Sequence, residues 1–262
     1  MMDDLVGLLK HSTHTVVFTG AGVSTLSGIR DFRGTGGFYT AQWHGMGVED
    51  LLSLEVFLDD PTKFYGWARE FLYHLDTFQP SVVHTVLAKM ENRGLINGVY
   101  TQNIDRLHQR GGSAHVWEIH GSADTHTCLS CHAKASYAEV APLVAEGRVP
   151  LCGNCGGILK PDIVFYGEQL DNTLLDRAYR DMAAADVVMV LGSSLTVQPA
   201  ASLPMATYYH GGKLVIVNSQ PTPLDKYAKV RLYDLKDTFF ALDHWLSDSV
   251  VSHPLQNGGK GL

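Results

Sequence analysis

The four cysteines of this 262-residue chain fall in two short pairs, Cys128-x2-Cys131 and Cys152-x2-Cys155, with twenty residues between them. Two such knuckles at that separation fit a tetrahedral four-thiolate zinc site, each pair supplying two sulfurs from one tight turn. A redox dithiol needs only one pair, usually opening a helix, and leaves the second pair without a role. Glycines at Gly153, Gly156 and Gly157 suit cramped turns around metal-bound sulfur. With every position taken by cysteine, no coordination site is left for water. The expectation is one structural zinc ion that holds a small module together and does no chemistry itself.

Composition bounds the rest of the chain. With 45% hydrophobic and 18% charged residues, the chain can bury a full core and carry one small appended module. A net charge of −7 argues against a nucleic-acid backbone as partner, because neutralising phosphates needs a basic face. The ribbon is therefore expected to be scaffolding. Residues 1–10 lack the basic-then-apolar pattern of a secretory signal, and no apolar run approaches a membrane span. Four cysteines committed to a metal fit a reducing compartment. The expectation is a cytoplasmic monomer.

Along the chain, helical and strand patterns alternate. Residues 3–11 place Leu5, Val6, Leu8 and Leu9 at helical spacing, and Thr15-Val16-Val17-Phe18-Thr19 is a short β-branched run. Pro61 opens a helix carrying Phe64, Trp67, Phe71, Leu72 and Leu75, and residues 81–93 read as a helix stopped by Gly94. Strands are expected at 98–101, 186–191 and 213–217, with helices at 174–185 and from about Pro199 to Gly211-Gly212. Continuous apolar strands separated by helices indicate an α/β fold with a parallel sheet buried on both faces. The Gly-rich tail after His253 is expected to be disordered.

The polar strand ends carry the functional signal. Gly20-Ala21-Gly22-Val23-Ser24, Gln102-Asn103-Ile104-Asp105, Gly192-Ser193-Ser194 and Asn218-Ser219 each follow an expected parallel strand. Each alone is ordinary turn chemistry. Together they can converge beyond the carboxyl ends of the strands, where open α/β sheets bind ligands. Gly20-x-Gly22 is only a partial dinucleotide fingerprint: Thr25 stands at the third glycine position, and the ribose-binding acid about 20 residues on is absent. A dinucleotide can bind here, but not in the manner of a dehydrogenase. The stretch Asp31-Phe32-Arg33-Gly34-Thr35-Gly36-Gly37 reads as a mobile loop over the site.

The run from Gly20 through Arg30-Asp31-Phe32-Arg33-Gly34 resembles the opening signature of the sirtuins, NAD-dependent protein deacylases. Thr101-Gln102-Asn103-Ile104-Asp105, Ile119-His120-Gly121, the four cysteines, the segment from Lys160-Pro161-Asp162 to Tyr166-Gly167-Glu168, Gly192-Ser193-Ser194-Leu195 and Val217-Asn218 follow in the family's order. The resemblance covers about residues 5–245. One departure is Arg30, where proline is commonest. The short termini resemble compact bacterial members. The resemblance implies a Rossmann-like NAD-binding domain (1–36, 78–122 and 160–250) with a small domain made of a helical insertion (37–77) and a zinc ribbon (123–159). Residues 251–262 form the tail.

The resemblance also implies that NAD is consumed, the acyl group of an acyl-lysine protein passing to ADP-ribose with release of nicotinamide. His120 is the implied base, suited to the task because imidazole titrates near neutrality. Asn103 and Asp105, with Gln102 and Ile104, fit the nicotinamide pocket. Either polar side chain is also a good helix cap ahead of Arg106-Leu107-His108. Gly20, Ala21 and Thr25 fit the diphosphate with Gly192, Ser193 and Ser194, while Asn218 and Ser219 fit the adenine ribose. Asp31 and Phe32 belong to the cofactor loop, with Arg33 near the phosphates or ribose. Val164, Tyr166 and Val197 line the lysine tunnel, and Gly167-Glu168 pair with the peptide as an added strand.

Members that remove acidic acyl groups resemble one another in a Tyr-x-x-Arg pair. Here Tyr65 is followed by Ala68 at the arginine position, and Arg69 is one residue off, about 100° round a helix. Neutral acyl groups are therefore expected. A mono-ADP-ribosyltransferase would share the cofactor residues. An oxidoreductase is disfavoured by the altered fingerprint, and a zinc-ribbon nucleic-acid binder by the acidic balance.

Overall fold

The computed structural model describes residues 1–31, 37 and 42–251, with side chains described through 248. Most of the expected cofactor loop, and residues 252–262 of the expected tail 251–262, lie outside the described residues, while Val251 ends a helix. The strands in chain order are β1 (Thr15–Thr19), β2 (Gln42–Trp43), β3 (Met46–Gly47), β4 (Gly98–Thr101), β5 (Val116–Glu118), β6 (Gly121–Cys128), β7 (Lys134–Ser136), β8 (Leu159–Ile163), β9 (Val187–Leu191), β10 (Lys213–Val217) and β11 (Ala228–Leu232).

Six of them form one sheet in the order β11-β10-β9-β1-β4-β5, every neighbouring pair parallel. Every residue of β1 and β9 is buried, as continuous apolar runs require of central parallel strands. Alternate side chains feed two cores. Val17, Val99, Met189 and Val215 pack against the helices Met2–His11, Val82–Asn92 and Leu235–Val251. Val16, Phe18, Val190 and Ile216 pack on the other face against Asn172–Ala184 and the segment around Met205.

From β1 the chain works outward to β4 and β5, then returns to β9 beside β1 and works outward the other way. The order therefore reverses between β1 and β9, which makes their carboxyl ends the topological switch point. The backbones meet there closely: the Gly22 N–H donates to the Gly192 carbonyl at 2.8 Å. A Cβ on Gly22 would stand 2.7 Å from the Gly192 Cα, and Gly192 itself has φ +60. No side chain fits at this contact.

The second sheet is β7-β6-β8, antiparallel throughout. Its apolar face shares one cluster with the helices Leu54–Asp59 and Pro61–Phe71, and that cluster takes in Cys128 and Cys152. β8 thus pairs on the ribbon side, and the Val164 N–H that follows it donates to the His120 carbonyl at 2.9 Å. The expected helix from Pro199 to Gly211 is broken into a 3-10 turn, Ala200–Ser202, and a short helix, Met205–Tyr209. Pro204 separates them, because it has no N–H to carry the helix ladder through. The helix from Pro61 ends at Phe71, and Leu72 and Leu75 sit in a following 3-10 segment, Leu72–Thr77.

Candidate functional site

A cleft of about 1100 Å³ opens over the switch point, between the large sheet and the cysteine module. The strand-end segments reach it together: Gly20, Ala21 and Thr25 after β1, Gln102 to Asp105 after β4, and His120 after β5. Gly192, Ser193 and Ser194 after β9, and Asn218 and Ser219 after β10, line its other side. Val164, Tyr166, Gly167 and Glu168 line it from the segment after β8, Val197 from the segment after β9, and Asp31 at the entry to the loop. Phe32 and Arg33 lie outside the described residues.

His120 projects from the turn between β5 and β6. Its Nδ1 lies 2.9 Å from the Gln102 carbonyl. A carbonyl only accepts, so Nδ1 carries the proton and Nε2 keeps a lone pair. Burial pushes the imidazole below its ordinary pKa, against the opposing pull of the Gln102 carbonyl. The ring is thus a neutral base at neutral pH.

Beside it, Asn103 and Asp105 are each 8% exposed and joined through Ser24. The Ser24 hydroxyl donates to Asp105 Oδ2 at 2.6 Å, and Asn103 Nδ2 donates to Ser24 Oγ and to the Gly20 carbonyl, both at 3.1 Å. Asp105 Oδ1 accepts the Leu107 N–H at 2.9 Å, the first N–H of the short helix Leu107–Arg110, whose N-cap position is held by Arg106. Burial raises the Asp105 pKa, while Ser24 and the Leu107 N–H partly offset it. Ser193 Oγ donates to Gln102 Oε1 at 2.7 Å, tying the β9 end to the β4 end. Ser24 lies in the Gly20-Ala21-Gly22-Val23-Ser24 segment, but the sequence alone assigns it no role; the structure makes it the link between Asn103 and Asp105.

On the module side, Glu168 spends its groups within its own turn. Its carboxylate accepts the Phe165 N–H at 2.7 Å and the Lys160 ammonium at 2.9 Å, and its N–H donates to the Phe165 carbonyl. Lys160, 7% exposed, also donates to the Ile163 carbonyl at 2.8 Å. Tyr166 exchanges backbone bonds with Leu52 and Leu54, at 2.8 and 2.9 Å. From the helix Pro61–Phe71, Trp67, Glu70 and Phe71 reach the cleft. Tyr65 and Ala68 are buried within the module, where the Tyr65 hydroxyl donates to the Leu159 carbonyl. Arg69 is exposed and lies against Gly147.

The four cysteines carry no disulfide, and their sulfurs all lie within 4.8 Å of one another. Cys128 and Cys155 are 3.5 Å apart, and Cys131 and Cys152 3.6 Å. A tetrahedron with Zn–S bonds of about 2.3 Å places its sulfurs about 3.8 Å apart, so the set fits zinc. In each knuckle a backbone N–H two residues on points at a sulfur: Ser130 to Cys128, and Gly157 to Cys155, both at 3.4 Å. Gly157 is required by space, because a Cβ there would meet Cys128 Sγ at 2.9 Å. Gly156 is required by its φ of +75, whereas Gly153 stands in open space.

These features define a class: a Rossmann-type α/β protein with an inserted four-cysteine module and a cleft at the switch point. The chain belongs to the Sir2 family, whose model matches residues 20–199, the sirtuins of the motif resemblance. A protein of Thermotoga maritima named NAD-dependent protein deacetylase is 42% identical over 240 residues, 92% of this chain and 95% of its own. A solved structure described as Sir2 with p53 peptide and NAD+ superposes with a TM-score of 0.85 at 39% identity, covering 96% of this chain and 100% of that one. Another, of Sir2 with 2'-O-acetyl-ADP-ribose and deacetylated p53 peptide, has a TM-score of 0.82 at 38% identity, with 95% and 100% covered.

Proposed function

We propose that this chain is an NAD-dependent protein-lysine deacetylase that transfers the acyl group to ADP-ribose and releases nicotinamide. The observation that carries the reading is His120, a neutral imidazole with Nδ1 held by the Gln102 carbonyl, in the same cleft as the Asn103–Ser24–Asp105 network. Bound NAD supplies the ADP-ribosyl acceptor, with nicotinamide as its leaving group. The residues present fit it: glycine backbones that close on each other at the switch point leave room for a diphosphate beside Gly20, Ala21, Thr25, Gly192, Ser193 and Ser194. Asn218 and Ser219 take the adenine ribose, and Gln102, Asn103, Ile104 and Asp105 the nicotinamide end. Asp31, Phe32 and Arg33 belong to the covering loop.

Each polar group then has a task. Asn103 and Asp105, oriented by Ser24, hold the carboxamide end in one pose. His120 Nε2 removes the proton of a ribose hydroxyl, with Nδ1–H kept on the Gln102 carbonyl so that the imidazolium stays hydrogen-bonded. Val164, Tyr166 and Val197 surround the lysine stem, and the Gly167-Glu168 turn receives the peptide backbone, with Lys160 keeping that turn rigid. Zinc is held by Cys128, Cys131, Cys152 and Cys155 and supplies cross-linking alone. Neutral acyl groups are preferred: the cleft-facing positions of the helix Pro61–Phe71 offer Trp67, Glu70 and Phe71, and Arg69 points elsewhere.

The same reading divides the chain into the Rossmann-like domain (1–36, 78–122 and 160–250) and the small domain (37–77 and 123–159), with the pairing of β8 favouring a boundary after Ile163. The setting is a cytoplasmic monomer acting on acyl-lysine proteins and neither membrane nor nucleic acid. The unpaired cysteines fit a reducing setting, and the net charge of −7 disfavours nucleic acid as partner. The test is nicotinamide release from NAD. Release that depends on an acetyl-lysine peptide is expected, and release indifferent to the peptide's acetyl group contradicts the reading.

A further inference from the structure

The far end of the cleft is formed by the loop after β10, where Asn218, Ser219 and Gln220 line it, and by Tyr233 after β11. Residues 218–222 belong to no helix or strand, so their shape rests on other bonds. The Asn218 N–H donates to the Leu232 carbonyl at 3.1 Å and Asn218 Nδ2 to the Gln220 carbonyl at 2.9 Å, and one side chain from β11 adds bonds at two further points. Arg231 of β11 is 12% exposed, and its guanidinium reaches behind the loop. Nη1 donates to the Asn218 carbonyl at 2.7 Å and to the Leu232 carbonyl, and Nη2 donates to the Gln220 carbonyl at 2.7 Å. Nε stands 2.9 Å from Asp225 Oδ1, and Asp225 in turn accepts the Thr222 N–H at 3.1 Å and hydroxyl at 2.6 Å. The Tyr233 ring lies 4.3 Å from the guanidinium carbon.

One planar fork therefore grips the loop at its start, its middle and, through Asp225, its end. We propose that Arg231 is a positioning residue for the adenosine end of NAD, holding residues 218–222 in the binding-competent shape. It touches no part of the cofactor itself and acts through Asn218 and Ser219. The inference rests on the reading that NAD lies in this cleft with its adenine ribose against those two residues. The geometry makes the role specific to arginine. Five N–H donors in a fixed plane can serve three carbonyls and a carboxylate at once, whereas a lysine ammonium is a point charge that reaches one or two. With the grip lost, the loop samples other shapes, and apparent affinity falls by the fraction of time it is competent.

The test compares the whole protein with Arg231→Lys and Arg231→Met, measuring NAD binding by calorimetry, deacetylation kinetics and Tm. Arg231→Met is expected to weaken NAD binding and raise the KM for NAD about tenfold, as a loop competent one-tenth of the time requires. The kcat at saturating NAD and the KM for acetyl-peptide should stay within about twofold. Arg231→Lys should fall between. Unchanged NAD affinity in folded Arg231→Met overturns the inference, as does a common loss in kcat, peptide KM and NAD KM. If Arg231→Met does not fold, Asp225→Asn keeps the guanidinium and removes one anchor. Weaker NAD binding with unchanged peptide KM then supports the inference, and unchanged NAD binding overturns it. Wild-type protein that binds no NAD overturns the deacetylase reading along with it, which separates that failure from a failure confined to the variants.

Discussion

At His120 one hydrogen bond decides which nitrogen can act. The Gln102 carbonyl takes the Nδ1 proton, so only Nε2 can accept. His120→Ala should keep NAD binding while deacetylation falls by ~10²–10⁴-fold, the usual worth of a general base. Nicotinamide exchange, which precedes the proton transfer, should suffer less, and equal loss of both would assign His120 to binding or folding. The pH dependence follows with its sign. The folded pKa is lowered, so the active neutral form persists below the ordinary pKa of about 6.5, and the acidic limb of kcat/KM, which reports the free protein, should lie below that value. A limb above it, in a pH–rate profile, would contradict the assignment. For the acyl group, acetyl should exceed succinyl in kcat/KM, since the helix Pro61–Phe71 turns Trp67, Glu70 and Phe71 to the cleft and so gives an acidic group no cation to offset its desolvation. Arg69→Ala should leave that ratio unchanged; succinyl preference abolished by Arg69→Ala would show that the helix turns differently. His120 and Asn103 were legible because each sits in a local motif. Arg231 lies in no such motif, and the roles of Ser24 and Lys160, though both lie in motif segments, are not legible, because their partners come from other turns of the fold: Ser24 and Asp105 are 81 residues apart.

The elements sort by how much of their surface is buried. β1, β4, β9 and β10 were readable as strands because both faces are covered and their sequences are nearly all apolar. The outer strands β5 and β11 are not legible as strands in the sequence. β5 has only three half-buried residues, and β11 alternates Lys229 and Arg231 with Val230 and Leu232. The helix Leu235–Val251 is likewise outside the expected elements, although Phe239, Leu242 and Leu246 keep helical spacing into the core. Proline spacing was the signal missed near Pro204. In the module the sheet is short, and the sulfurs close it. Without a cation, four clustered thiols cannot all ionise. Cys128 is drawn down to about 6, chiefly by the Cys131 backbone N–H. Cys131 is driven up to about 12, the neighbouring sulfurs outweighing the Ala133 N–H. A site closed by four sulfurs is expected to couple metal binding to folding. Cys128→Ala or Cys152→Ala should lose zinc and thermal stability together, read by metal analysis and calorimetry. A metal-free protein that stays folded and fully active would contradict the structural role.

Across the whole molecule, acid should loosen the fold at a buried histidine remote from the metal. His84 is fully buried, and its Nδ1 accepts the Ser81 N–H at 3.1 Å, closing the capping box of the helix Val82–Asn92. Its ring lies 4.7 Å from that of His108, which burial holds well below the ordinary range. Burial lowers His84 to about 4. The unfolded chain then takes up the proton first, so stability is full above about pH 6.5 and is lost as pH falls toward 4, by on the order of 3 kcal/mol for this group. His84→Gln keeps a capping acceptor without titrating, so urea unfolding between pH 7 and pH 4.5 should show a shallower loss. An unaltered pH slope would remove His84 from the account. The central claim concerns the fate of one acyl group, and mass spectrometry of a single reaction follows it. An acetyl-lysine peptide incubated with NAD and the protein should give deacetylated peptide, nicotinamide and acetyl-ADP-ribose in equal amounts. Free acetate with NAD intact, or ADP-ribose attached to a peptide that keeps its acetyl group, would contradict it.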